Sequence, residues 1–218
     1  MIERKKVSSL AALRASYNET YARTAYGEKP ALYQWCVRLL DVAKGSRVLD
    51  VGCGAGPFLR HVALAGGEPW GMDLAENALA KARVLVPEAR LVQANGEELP
   101  FAKGRFDKIA CLGNLEHFLD PLRGARELAR VLAPGGRCLV LLPNSYYSGD
   151  IWRVITTGRG PDHHQAIDRF ATIAEWRELL ETGGLVVNSV ERWDKGKLWK
   201  RMFPRNLAYH FLYVCTRV

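Results

Sequence analysis

Three glycines at alternate positions give the first chemical signal in this chain. In VLDVGCGAGPFL (48–59), a β-branched apolar run ends at Val51, and Gly52, Gly54 and Gly56 follow. Glycine reaches left-handed backbone angles and, having no Cβ, lets a ligand lie directly on the main chain. Pro57 suits the first turn of a helix, where no amide donor is needed. Phe58, Leu59, Val62 and Leu64 then continue an apolar pattern as far as Gly66-Gly67. Strand, glycine turn and helix together make a nucleotide-type binding turn. The spacing is G-x-G-x-G, with Pro at 57, and so departs from the G-x-G-x-x-G of dinucleotide folds.

The next strand decides the matter. EPWGMD (68–73) ends in Asp73, about 20 residues past the first glycine, the spacing at which a carboxylate meets a ribose. An ionised Asp accepts both ribose hydroxyls at once. Asp50, directly before the turn, has two readings: it helps hold the ligand or it caps the amides of the turn.

These residues need a scaffold that brings strand ends together. Strands are expected near 47–51, 69–73, 90–94, 107–112, 137–143, 185–193 and 208–216. Helices are expected near 10–24, 30–42, 57–65, 75–86, 121–132 and 173–182. Asp120-Pro121 is an N-cap followed by proline at the first helical position. Thr172-x-x-Glu175 is a capping box, and Gly183-Gly184 ends the helix it starts. Alternation of this kind predicts a parallel sheet covered on both faces. Ligands in such sheets bind outside the carboxyl ends of the strands, where the glycines, Asp73, Asn95 and Leu112-Gly113 all fall.

Composition narrows the class. The chain has 218 residues, 48% of them hydrophobic, which suits one domain with a substantial core and excludes general disorder. Five cysteines without a C-x-x-C pair read as small buried hydrophobes in a reducing compartment. The N-terminus lacks the apolar core of a signal peptide, and no run reaches the roughly 18 apolar residues of a spanning helix, so a cytoplasmic location is expected. The net charge of +8 is concentrated late: Arg192, Lys195, Lys197, Lys200, Arg201, Arg205 and Arg217 stand against Asp194 alone. Such a region can attract an anionic surface. Nucleic acid is not expected, because no aromatic stacking motif accompanies the charge.

VLDVGCGAG, GMD, ANGEELPF, NLEH and the following APGGRCLVLLPN occur in that order. Over roughly residues 45–145 they resemble the class I S-adenosylmethionine-dependent methyltransferases, the broad group that includes the ubiquinone and menaquinone methylases. The resemblance implies a three-layer, Rossmann-like α/β fold. Its seven-stranded sheet is mostly parallel with an antiparallel last strand, for which LAYHFLYVCTRV is the candidate. It also implies a single domain over 1–218, divided into an N-terminal helical lid (1–44), a cofactor-binding core (45–143), an acceptor-site insertion (144–171) and a C-terminal helix with strands (172–218).

The cofactor so implied is S-adenosylmethionine, with S-adenosylhomocysteine as product. Asp50, Gly52, Cys53 and Gly54 would face its methionine part, with Leu112 and Gly113 passing the same end. Asp73 would hold the ribose and Asn95 with Gly96 the adenine, with Leu74 and Glu97 also among the cofactor-binding residues. Asn95 stands where the family usually has Asp, yet its amide oxygen still accepts a hydrogen bond. Tyr17, Tyr21 and Tyr26 of the lid carry hydroxyls within reach of the cofactor carboxylate, Tyr21 foremost.

Candidate bases are His163, His164 and His117. The first two lie in SYYSGDIWRVITTGRGPDHHQAIDRF (145–170) with Tyr146, Tyr147 and Trp152, a connection long enough to be functional. No metal site is expected, since adjacent histidines rarely face one ion. The implied reaction is methyl transfer to O or C of a small-molecule or lipid-intermediate acceptor. RNA or protein methylation stays open as an alternative, although the fourth strand ends CLGNLEH rather than in an N-P-P-Y-type motif. A non-catalytic S-adenosylmethionine-binding module stays open too. Trp199 and Phe203 among the basic residues hint at weak contact with an anionic surface. The oligomeric state is not encoded in any motif.

Overall fold

Strand and helix alternate along the chain as the apolar periodicity requires. The computed structural model describes residues 1–24, 27–160, 165–195, 202 and 204–217. The elements are β1 (Ile2–Lys5), α1 (Leu10–Arg23), α2 (Pro30–Leu40), β2 (Arg47–Val51), α3 (Pro57–Leu64), β3 (Glu68–Asp73), α4 (Glu76–Leu85) and β4 (Arg90–Gln93). They continue with β5 (Phe106–Leu112), α5 (Pro121–Val131), β6 (Leu132–Pro143), α6 (Ser148–Thr157), β7 (Ile167–Phe170), α7 (Ile173–Thr182), β8 (Leu185–Trp193) and β9 (His210–Arg217).

Seven strands form one sheet in the order β4-β3-β2-β5-β6-β9-β8. β4, β3, β2, β5 and β6 run parallel, as the alternation of strand and helix predicts, and β9 is antiparallel to both of its neighbours, as the family resemblance implies. Side chains alternate across the sheet, so successive residues feed different layers. Val48 and Ala110 join Leu32, Cys36, Phe58 and Val62 of α2 and α3. Leu49, Ile109 and Cys111 join Leu128 of α5 with Trp176 and Leu180 of α7 on the opposite face. Trp176 is fully buried, and its indole donates to Pro143 O at 2.8 Å, so its burial leaves no orphan donor. All five cysteines are buried and unpaired.

Both expected helix starts are present. The Asp120 side chain accepts from Arg123 N, and Thr172 with Glu175 forms the reciprocal capping box. Three features depart from the sequence reading. β6 begins at Leu132 rather than near 137, because Leu132 pairs with Phe106 before a register shift at Lys108. The chain opens with a strand, β1, paired antiparallel to β7 in a separate two-stranded ribbon. The 144–171 segment holds a helix and a strand where the sequence suggests one long connection. β1 and β7 have four residues each, too short for a periodic signal, and their pairing is decided by tertiary contact.

Candidate active site

The sheet reverses its order at β2 and β5, the crevice where α/β proteins place ligands. A cavity of about 700 Å³ opens there. Gly52 and Gly54 form its floor at φ of +74° and +53°. A Cβ on Gly52 would overlap the Asn114 side chain, and one on Gly54 would lie 2.5 Å from the Tyr21 hydroxyl. The two glycines are therefore required twice, by backbone angle and by space.

Asp73 ends β3 with both carboxylate oxygens engaged. Oδ2 accepts from Gly54 N at 2.9 Å and Oδ1 from Ala75 N at 2.8 Å. Each oxygen keeps a second lone pair for a ligand. Burial raises its pKa, and the amides of Ala75, Gly54 and Leu74 pull partly back. Asp50, 3% exposed, has no such support: burial, then the nearby Asp73 charge, push its carboxyl up to about 8. It lines the same cavity.

Leu74, Asn95, Gly96, Glu97 and Leu112 line the same cavity, as do the backbone of the turn and Tyr21. Asn95 closes its own turn, its Oδ1 accepting from Glu97 N at 3.1 Å. Glu97 Oε1 accepts from Leu119 N at 2.7 Å. The Phe118 ring covers Gly96 so closely that a Cβ there would overlap it. Cys53 differs from its neighbours. Its side chain packs with Leu59, Leu79 and Val86 in the core, so only its main chain belongs to the turn.

α1 covers the cavity from above. Tyr21 packs with Ala75 and Ala78, and Asn18 accepts two hydrogen bonds from Asn77 of α4. Tyr17 Oη donates to Gln165 Oε1 at 3.0 Å, which ties the same helix to the segment before β7. Tyr147, Asp150 and Arg153 of the 144–171 segment line the far side, together with Lys195, Tyr209 and His210. Tyr146 and Trp152, 56% and 67% exposed, are not part of that lining. Tyr26, His163, His164, Trp199 and Phe203 lie outside the described residues, as do Lys197, Lys200 and Arg201 of the basic region.

His117 sits at the cavity wall, 7% exposed, with Nδ1 hydrogen-bonded to Ile167 O. A carbonyl only accepts, so Nδ1 carries the hydrogen and Nε2 keeps its lone pair. Burial lowers the imidazole pKa, which favours this neutral form.

Sequence reasoning missed several lining residues. Tyr33 Oη accepts from Glu28 N at 2.6 Å, and burial pushes its pKa up to about 12. Asn114 Nδ2 donates to Gly52 O at 2.8 Å and fixes the turn. Arg169, 2% exposed, pairs with Glu3 and donates to the carbonyls of Glu116, Phe118 and Leu119. Asn114 adjoins the LEH motif and could have been flagged. Tyr33 and Arg169 carry no spacing signal.

A nucleotide-type turn, a ribose-spaced carboxylate and a seven-stranded sheet with an antiparallel strand inserted between β6 and β8 define a class, and the comparisons agree. A family model described as a methyltransferase domain matches residues 49–140. A ubiquinone biosynthesis O-methyltransferase of Xanthomonas oryzae pv. oryzae is 30% identical over 188 residues, covering 78% of this chain and 77% of that protein. One from Bordetella avium is 33% identical over 144 residues, covering 62% of this chain and 59% of its own length. The chain thus spans about three-fifths of that relative. An S-adenosylmethionine-dependent methyltransferase structure from Mesorhizobium loti superposes with a TM-score of 0.66 at 20% identity, covering 85% of this chain and 98% of that one. The chain belongs to the class I S-adenosylmethionine-dependent methyltransferases. No described helix is long and apolar enough to cross a membrane.

Proposed function

We propose that the protein transfers a methyl group from S-adenosylmethionine to a hydroxyl of a small-molecule acceptor. One observation carries this reading: a single cavity runs from the glycine turn and Asp73 to Tyr147, Asp168 and Tyr209. Donor and acceptor thus have adjoining walls under one cover. The relatives whose names specify O-methylation favour oxygen over carbon as the accepting atom.

The residues fit the cofactor. The Cβ-free floor at Gly52 and Gly54 leaves room for a ligand against the main chain. The spare lone pairs of Asp73 match a pair of ribose hydroxyls. Asn95, Gly96 and Glu97 with the Phe118 ring suit a flat adenine, and Leu74 and Leu112 add apolar walls. Asp50 and the main chain of Cys53 lie on the side assigned to the methionine part, with Tyr21 above. Bound here, S-adenosylmethionine supplies a methyl carbon on a positively charged sulfur that takes back the bonding electron pair as the methyl leaves. The chain's own task is alignment and exclusion of water. α1, hydrogen-bonded to α4 on one side and to Gln165 on the other, performs the exclusion.

In this reading residues 1–218 act as one domain, with 1–44 as lid, 45–143 as donor-binding core, 144–171 as acceptor cover and 172–218 completing the sheet. The basic C-terminal residues add weak contact with an anionic surface. Five unpaired thiols fit a reducing compartment such as the cytoplasm. The test is incubation of cell extract with isotopically methyl-labelled S-adenosylmethionine, with and without the protein. A protein-dependent labelled O-methyl product is expected by mass spectrometry. Label on RNA or protein alone, or none at all, would refute the reading.

A further inference from the structure

Glu116 is the buried carboxyl at the meeting point of the donor and acceptor walls. It is 3% exposed, lines the cavity, and its Oε2 has no hydrogen-bond partner. Every other buried acid of the donor wall has a separate place. Asp73 and Glu97 are held by backbone amides, and Asp50 sits on β2. Glu116 Oε1 stands 3.7 Å from His117 Nε2, and it would lie 3.8 Å from a Cβ built on Gly113. Gly113, at φ +70°, lines the cavity beside this carboxyl.

We propose that Glu116 is the catalytic base that takes the proton from the acceptor hydroxyl, with His117 as its positioning partner. This rests on the O-methylation reading above. In the step the acceptor's O–H bond breaks, its electron pair stays on oxygen, and the proton bonds to the ionised carboxyl of Glu116, which lines the cavity. His117 is set for its part by the Nδ1–Ile167 hydrogen bond, which leaves Nε2 uncommitted beside the carboxyl.

The charged and titratable groups facing Glu116 come from three places. His117 shares its turn, Cys111 lies on β5, and Asp168 and Arg169 come from β7. Burial, with the Asp168 charge in support, holds the carboxyl up to about 8 against the opposing Arg169 charge. A base poised there is matched to proton transfer near neutral pH. β7 thus supplies both charges that act on the base. No histidine of the 145–170 segment is then needed for proton removal.

The test titrates catechol into the S-adenosylhomocysteine-saturated protein by calorimetry at about pH 6 and about pH 8.5, on either side of the carboxyl's transition. Catechol affinity should rise on the order of tenfold or more between the two, with proton release at the lower pH. Glu116→Gln should still bind S-adenosylhomocysteine, which establishes that it is folded, and should bind catechol without the pH dependence. Glu116→Asp should restore part of it. A flat profile in the wild-type protein, a retained rise in Glu116→Gln, or no catechol binding at either pH would overturn the proposal. Failure to bind S-adenosylhomocysteine would instead overturn the donor reading, and the catechol titration on the free protein would still decide the role of Glu116.

Discussion

The two walls of the cavity are built on opposite principles. The donor wall is main chain: a glycine turn at positive φ, held by a carboxylate that grips its Gly54 amide and by an asparagine that grips a carbonyl. The wall proposed for the acceptor is side chain, drawn from α6, β7 and the approach to β9, and tied to the rest by contacts such as Tyr17–Gln165 and Arg169 with its carbonyls. Main-chain geometry tolerates almost no substitution but asks little of the residues around it. Side-chain walls can be rebuilt residue by residue. A fold divided in this way can keep its donor and change its acceptor.

Breaking the donor wall should give the largest effects. Gly52→Val places a branched side chain at φ +74° and into Asn114. It should cost about 100-fold or more in S-adenosylhomocysteine affinity by calorimetry, or about 2.7 kcal/mol. Gly135→Ala is the control, since Gly135 has the same sign of φ at +71° with nothing within 4 Å of its Cβ position. It should leave affinity unchanged. A Gly52 variant that binds normally would mean the turn is not a cradle.

Asp73→Ala comes next. It removes a buried carboxylate that serves the turn and, in the proposed role, the ribose. A loss of roughly 1.5–3 kcal/mol in the same titration is expected, and unchanged affinity would remove Asp73 from the ligand's surroundings.

Asp50 offers a pH-dependent effect on the free protein. Its folded-state carboxyl keeps a proton up to about 8, whereas the unfolded chain releases it near about 3.9. Within that window the unfolded state binds fewer protons, so this group makes stability fall as pH rises, by about 1.4 kcal/mol per pH unit at most. Asp50→Asn should flatten the decline seen in denaturant unfolding between those limits. An unchanged slope would show that Asp50 is not the buried group responsible.

Tyr17→Phe should be mildest, because it deletes one hydrogen bond across the seam between the walls. About 0.5–1.5 kcal/mol of stability is expected to go, with donor affinity nearly intact. A large loss of donor affinity would mean that the two walls are one unit.

The same division explains what could be read from sequence. The glycines, Asp73 and the capping residues Asp120, Thr172 and Glu175 act on neighbours close in the chain or at fixed spacing, and they stand where local chemistry puts them. The parallel strands followed from strand–helix alternation, whereas the antiparallel last strand came from the family resemblance alone. Tyr33, Arg169 and the β1–β7 ribbon answer to partners fixed only by the assembled fold. α6 was obscured by its own composition: Ile151, Val154, Ile155, Thr156 and Thr157 are β-branched and Gly149 is near its start, so propensity argues against a helix that tertiary context supports. Asn95 was legible as a position, but its commitment to Glu97 N was not.

The β1–β7 ribbon also sets an order of events. Glu3 and Arg169, paired across it, are 166 positions apart, so the ribbon closes one of the longest loops in the chain and contributes only four residue pairs. Contacts of such sequence separation form late, after nearer pairings have repaid their own closure entropy. The glycine turn and its strands, linked by short crossovers, have no such wait. A newly made chain can therefore assemble its donor wall before the acceptor wall has a partner strand to close on. In native-state hydrogen exchange, β1, with all four of its residues exposed, should open first and leave the sheet behind it protected.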